Sequence, residues 1–92
     1  MKKAQKRKII SEAIRLVDGY NYYSCTALRC AALRLGLGFY RDYIILEYEN
    51  FYKPKFSEIR NCSYHGWFGV CCDRDNQNIR VLALLFFMEA GL

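Results

Sequence analysis

Apolar residues recur at helical spacing in four segments of the chain, and this pattern predicts a mainly α-helical protein. The first predicted helix spans residues 3–17 and stops at Asp18-Gly19. The second begins at Ser24, whose hydroxyl is expected to cap it, and ends at Gly36 and Gly38. The positions expected to be buried in these two helices are Ile9, Ile10, Ala13, Ile14, Leu16 and Val17, then Leu28, Ala31, Ala32 and Leu35.

The third predicted helix, residues 39–53, is apolar on two sides. One stripe holds Tyr40, Ile44, Tyr48 and Phe51, and the other holds Phe39, Tyr43 and Leu46. A helix of this kind is expected to be sandwiched in a core or shared with a partner. Pro54 is expected to end it, and a strand at "YIILEY" is the alternative interpretation.

The fourth predicted helix starts at Asp75 or Asn76, ends near Ala90 and contains "VLALLFFM", which is apolar on every side. It is therefore either the central helix of the core, which is the prediction, or part of an interface between subunits. Residues 54–75 are expected to be irregular, with a short helix at "SEIRN" or a hairpin in residues 57–72. The sequence thus predicts a single compact four-helix domain over residues 1–92.

Composition agrees with a folded domain, because 53% of the residues are hydrophobic and 16% are aromatic. The net charge is +5, and "MKKAQKRK" carries much of the excess. Such a basic end either attracts phosphates, acidic proteins or anionic lipid, or is a solvated helix start. No signal peptide or membrane span is recognised, so a soluble, cytoplasmic protein with reduced thiols is expected.

No catalytic or cofactor-binding motif is found, so the protein is expected to be neither an enzyme nor dependent on a cofactor. Cys62, His65, Cys71 and Cys72 are of the types that bind zinc. Zinc ligands usually come from two spaced pairs such as C-x2-C, and a second pair of that kind is missing here. The alternative, that these thiols fill space as small hydrophobes, is preferred, and no metal is expected.

The stretch "GYNYYSCTAL" places three tyrosines just before the second predicted helix. Tyr23 is expected to pack on Leu28 as a hydrophobic staple, which accounts for one ring. The other rings are candidates for ligand contact, because a tyrosine combines an apolar body with a hydroxyl. Arginine guanidinium groups bind phosphates through pairs of parallel hydrogen bonds, and aromatic rings stack on bases. The candidate binding residues are therefore Tyr20, Tyr22, Tyr23, Arg29, Arg60, Trp67, Arg74 and Arg80. The alternative is that most rings of the chain build the core.

The elements "YYSCTAL", "FYKP", "GWFG" and "RVLALLFFMEAGL" occur in an order that resembles small accessory proteins of tailed bacteriophages. The resemblance implies a viral protein that acts in the host bacterial cytoplasm and inhibits an anti-phage defence component by stoichiometric binding. The alternatives are a sponge that sequesters a nucleotide second messenger of bacterial immunity, and a DNA- or RNA-binding accessory protein.

Two apolar elements, the third and fourth predicted helices, exceed what one small domain easily covers. A two-fold homodimer that buries parts of Tyr40, Ile44, Tyr48 and Phe51 between subunits is expected. The alternative is that residues 54–75 fold back and cover these helices.

Overall fold

The computed structural model of the protein describes residues 1–56 and 77–90, with side chains for residues 1–52 and 77–90. Four α-helices lie in this part of the chain: α1 (Lys3–Tyr20), α2 (Ser24–Arg34), α3 (Arg41–Phe56) and α4 (Gln77–Ala90). A single 3₁₀ turn, Gly38–Tyr40, precedes α3, and no strand occurs among the described residues. The prediction of a mainly α, four-helix fold is therefore confirmed. The hairpin or irregular segment predicted for residues 57–72 and the predicted caps Asp75 and Asn76 lie outside the described residues.

All four helices contribute to one hydrophobic core. α1 packs most extensively on α2 and α4, and α3 packs on α2 and, over a smaller area, on α4. The Cα radius of gyration is 12.1 Å, close to the ~12 Å expected of a compact domain of this length. The buried apolar residues are Ile9, Ile10, Ala13, Leu16, Val17, Ala27, Leu28, Ala31, Ala32, Ile44, Tyr48, Tyr52, Ala83, Leu84 and Phe87. Of the positions predicted to be buried in α1 and α2, Ile14 is only half-buried, and the prediction for Leu35 was wrong, because it is 40% exposed at the end of α2.

α1 ends at Tyr20, three residues beyond the predicted end at Val17. The residue that leaves the helix is Asn21, which adopts the left-handed conformation with φ 60°. Asparagine tolerates this conformation better than most residues that carry a side chain. Gly19 therefore continues the helix, and the predicted stop at Asp18-Gly19 was wrong.

The start of α2 also differs from the prediction. Tyr23 is the N-cap residue, with an extended backbone, and it makes no side-chain capping bond. Ser24 is the first residue of the helix and is buried, so it does not act as the predicted cap. The end of α2 is as predicted, because Gly36 has φ 73°. The N–H of Leu37 donates to the carbonyl of Ala32 at 2.7 Å, and the N–H of Gly36 donates to that of Leu33 at 3.2 Å, the hydrogen-bond pattern of a Schellman motif.

α3 is helical throughout "YIILEY", so the alternative of a strand is wrong. The helix passes Pro54 and ends at Phe56. Pro54 lies in the last turn, where the hydrogen bond that its backbone cannot donate is one of the last in the helix. The predicted end at residue 53 was therefore three residues early.

Only one of the two apolar stripes of α3 is buried in the chain's own core. Ile44 and Tyr48 are fully buried, so they cannot form the subunit interface that was predicted for them. The opposite stripe, which begins at Phe39 in the 3₁₀ turn before α3, is exposed: 91% of Phe39, 52% of Tyr43 and 56% of Leu46 remain accessible. The predicted sandwiching of α3 on both sides is therefore not what the structure has.

α4 covers one side of the core and is not its central helix. It buries Arg80, Ala83, Leu84 and Phe87, while Leu82, Leu85 and Phe86 on its outer side are exposed. The prediction of a central α4 was therefore wrong, and α1, which packs extensively on both α2 and α4, comes closest to that position.

Candidate functional site at the tyrosine turn

Residues 20–23 connect α1 to α2 and are called here the tyrosine turn. The left-handed backbone of Asn21 reverses the chain, and the N–H of Tyr22 points back to the carbonyl of Leu16 at 3.4 Å. The three rings are thereby sent in different directions. Tyr20 is 64% exposed and Tyr23 is 38% exposed, whereas Tyr22 is half-buried against the core.

The half-buried ring of Tyr22 supports the most exposed one. The rings of Tyr20 and Tyr22 meet edge to face, with their centroids 6.4 Å apart. This is within the usual range for a favourable aromatic pair. Tyr20, at the last residue of α1, is therefore held in place on one side while its other side faces solvent.

The first turn of α4 holds the tyrosine turn from the other side. The side-chain amide of Gln77 donates to the carbonyls of Val17 and Asp18, at 2.7 Å each. These carbonyls belong to the last turn of α1, where backbone acceptors commonly lack a partner within the helix. Gln77 thus caps the C-terminal end of α1 from a neighbouring helix and fixes where the turn begins.

Arg80 lies beneath the turn and contacts two of its residues. Its guanidinium donates to the side-chain oxygen of Asn21 and lies 5.3 Å from the centroid of the Tyr23 ring. Because Arg80 is only 2% exposed, the cation–π contact is partly shielded from water, which strengthens it. Arg80 therefore supports the turn from inside and does not present its guanidinium to solvent.

An open depression of about 390 Å³ lies beside the turn and is lined by Asn21, Tyr22, Tyr23, Thr26 and Cys30. Its lining offers aromatic faces, an amide, a hydroxyl and a thiol, and none of these five residues carries a charge at neutral pH. Such a surface suits an apolar or neutral polar group better than a phosphate.

The structure brings together four of the predicted site residues and separates one. Tyr20, Tyr22, Tyr23 and Arg80 meet at the turn, whereas no contact joins Arg29 to them. Arg29 is exposed on α2, three residues after Thr26. The other predicted site residues, Arg60, Trp67 and Arg74, lie outside the described residues. The ring that packs on the core is Tyr22, not the Tyr23 expected to form the staple.

The polar residues that complete the site were not among the predicted site residues. Asn21 stands between the tyrosines, and an asparagine followed by a helix start is a recognisable left-handed turn. Thr26 and Cys30 follow Tyr23 by three and seven residues, which puts them on the same side of α2. Gln77 gave no such signal, because its contacts with α1 depend on the tertiary fold.

Neither a metal centre nor a membrane-spanning element is present in the described ranges. No group of three or more metal-ligating side chains comes together in residues 1–56 and 77–90. No helix there combines the length and apolar character needed to cross a bilayer. Cys25 and Cys30 are free thiols. The zinc candidates Cys62, His65, Cys71 and Cys72 lie outside the described residues.

No protein-family model matches the chain, and no curated protein and no solved structure matches it either. The function is therefore argued from the tyrosine turn itself.

Proposed function

We propose that the protein is a non-enzymatic binding protein whose tyrosine turn contacts a partner protein stoichiometrically. The observation that carries the proposal is that two exposed rings, Tyr20 and Tyr23, are held in place by Tyr22 and Arg80 beside a neutral depression. Tyrosine is enriched at the centres of protein interfaces, where a rigid ring loses little conformational entropy on binding.

The charges around the turn fit a protein interface better than a phosphate site. The depression is lined by uncharged side chains, and Arg29 is exposed one helical turn from Thr26. An uncharged aromatic centre with charged residues at its margin is the usual anatomy of a protein–protein interface. The net charge of +5 favours a partner with an acidic surface, because opposite potentials accelerate association.

The resemblance to phage accessory proteins suggests what the partner is. We propose a component of bacterial anti-phage defence, inhibited in the host cytoplasm by occlusion of its surface. This assignment rests on analogy of context, whereas the binding surface rests on the geometry of the turn.

The alternative function is a sponge for a nucleotide second messenger. It is supported by the 64% exposure of Tyr20, since an exposed ring can stack on a base. Arg80, one of the arginines predicted to hold the phosphates, is buried, which favours the protein partner over the nucleotide. Calorimetry of the purified protein with cyclic dinucleotides and ADP-ribose derivatives separates the two functions.

The test is capture of the partner from a bacterial lysate, followed by affinity measurements with the identified and purified partner. The double variant Tyr20→Ala/Tyr23→Ala is expected to bind at least ~10-fold more weakly, as two interface tyrosines commonly contribute that much. Tyr43→Ala is the matched control, because it removes a ring that is 52% exposed on α3, away from the turn. Equal affinity of the double variant and the wild type would refute the assignment of the surface, and nanomolar nucleotide binding would favour the sponge.

A further inference from the structure

The outer side of α1, with its N-cap residue Lys2, forms a second surface that is rich in cations. Its exposed charged residues before Asp18 are all basic and are called here the basic face: Lys2, Lys3, Arg7, Lys8 and Arg15. Lys6 is the exception within this run, because it is buried and forms an ion pair with Glu47 at 2.7 Å. Lys6 therefore anchors the helix to α3, and its neighbours stay in solvent.

In the part of the chain that the structure describes, acidic residues neutralise one of these five cations, Arg15, and not the other four. The first acid of the chain is Glu12, and its carboxylate is shared by Arg15 at 2.5 Å and Arg34 at 3.1 Å. The hydrogen bond from Arg15 contributes most, and the charges of Arg15 and Arg34 add to it, so the pKa of Glu12 lies below its ordinary value. Glu12 is therefore ionised, but the cations of the basic face outnumber it. Among residues 1–56 and 77–90, no acid forms an ion pair with Lys2, Lys3, Arg7 or Lys8.

The cations also stand at the unfavourable end of their helix. The N-terminus of an α-helix carries partial positive charge and is stabilised by acidic residues, yet the first turn of α1 contains none. Basic residues concentrated there oppose the stability of the helix. A local conflict of this kind is expected at functional surfaces.

The residue composition of the basic face indicates which kind of negatively charged partner it suits. The exposed residues between the cations are Ala4 and Ser11, and the hydroxyl of Ser11 donates to the half-buried Met88 of α4. No large apolar or aromatic side chain of the described residues is exposed between the cations. A membrane-bound helix needs such side chains to enter the lipid, and a protein interface needs them at its centre. Nucleic-acid backbone requires only cations, because counterion release drives its binding.

We propose that the basic face of α1 binds the phosphate backbone of duplex DNA without sequence specificity. Residues 3–15 of α1 extend over roughly 18 Å, a length on which a duplex carries on the order of ten charges. Four cations that form no ion pair among the described residues, Lys2, Lys3, Arg7 and Lys8, complement this polyanion. Arg15 also interacts with Tyr20 of the tyrosine turn, so the basic face is tested at Arg7 and Lys8, and the two proposals are tested by different variants.

The test is fluorescence anisotropy of a labelled 20-base-pair duplex titrated with the full chain at several salt concentrations. Four phosphate contacts, from Lys2, Lys3, Arg7 and Lys8, predict a slope of log K against log salt of about −3.6, and a loss of affinity of roughly a hundredfold between 50 and 200 mM salt. The variant Arg7→Gln/Lys8→Gln is expected to reduce the slope by about 1.8 and to bind at least ~10-fold more weakly at 50 mM salt. Arg29→Gln/Arg41→Gln removes the same charge from α2 and α3 and is expected to retain the wild-type slope.

Four results would overturn the proposal. They are no binding of the duplex at 50 mM salt, an unchanged slope in Arg7→Gln/Lys8→Gln, an equal loss in the control variant, and equal binding to polyglutamate or to vesicles containing phosphatidylserine. The last result would show a general affinity for anions. Circular dichroism of both variants verifies that the helices are intact.

Discussion

The two sides of α3 have similar sequences and opposite environments. Tyr48 is fully buried and packs on Tyr52 and Phe87, with ring centroids 5.5 and 5.3 Å away. Tyr43, five residues earlier in the same helix, is 52% exposed. The pattern of apolar residues identifies two stripes but does not show which of them is buried. The stripe that α2 and α4 cover becomes core, so burial here is decided by tertiary neighbours and not by helix periodicity.

The largest difference between the two sides is expected for an introduced charge. Ile44→Lys places an ammonium group at a position that is fully buried and is expected to destabilise the fold by more than ~4 kcal/mol or to unfold it. Leu46→Lys, at a position that is 56% exposed, is expected to change stability by less than ~0.5 kcal/mol. Urea denaturation followed by circular dichroism measures both. A folded Ile44→Lys protein with wild-type stability would show that this side of α3 is not in the core.

Removing one tyrosine ring from each side of α3 compares the two sides without introducing a charge. Tyr48→Ala is expected to cost about 3–5 kcal/mol, because it leaves a cavity between α3 and α4. Tyr43→Ala removes the same side chain from the exposed side and is expected to cost less than ~1 kcal/mol. The two variants differ only in position, so equal denaturation midpoints would contradict the assignment of the two sides.

Local patterns predicted most of the fold, whereas tertiary contacts decided the rest. The buried stripes of α1 and α2 follow from residue spacing, and the end of α2 follows from Gly36. The buried stripe of α3 and the single covered side of α4 do not, since both depend on which helices meet. At the candidate site, the sequence indicates the tyrosines, but the roles of Arg80 and Gln77 arise from contacts across about 60 positions of the chain.

The exposed side of α3 is the surface on which the homodimer prediction now depends. Phe39, Tyr43 and Leu46 together expose an apolar stripe. Of the residues first assigned to the interface, Ile44 and Tyr48 are buried and Tyr40 and Phe51 are half-buried. If two copies pair through this stripe, light scattering gives about twice the monomer mass of 10.9 kDa, and Leu46→Lys restores the monomer. A monomeric wild-type protein at micromolar concentration would show that the stripe does not support self-association.

A moderate effect is expected at the edge between the two sides of α3, where Glu47 pairs with Lys6. The ammonium of Lys6 also lies 5.1 Å from the ring centroid of Phe87, and the Glu47 side chain is one-third exposed. Lys6→Met leaves the carboxylate without this cation and is expected to cost about 1–2 kcal/mol. The double variant Lys6→Met/Glu47→Leu is expected to recover part of the loss. Denaturation midpoints that are additive across this cycle would contradict a coupling between the two residues.

The smallest expected effect is electrostatic and concerns the exposed Tyr43. The negative charge of Glu47, together with a hydrogen bond to it, raises the pKa of the Tyr43 phenol above its ordinary value. The folded protein thus holds the phenolic proton more tightly than the unfolded chain, and the protonated phenol of Tyr43 stabilises the fold. This stabilisation is complete below the pKa of Tyr43 in the unfolded chain and is lost as the pH rises through its pKa in the folded protein. NMR of ¹³C-labelled tyrosine, with Tyr43→Phe to assign the resonance, measures the titration. Glu47→Gln is expected to lower the pKa of Tyr43 towards its ordinary value, and an unchanged titration in that variant would show that Glu47 does not act on the exposed side of α3.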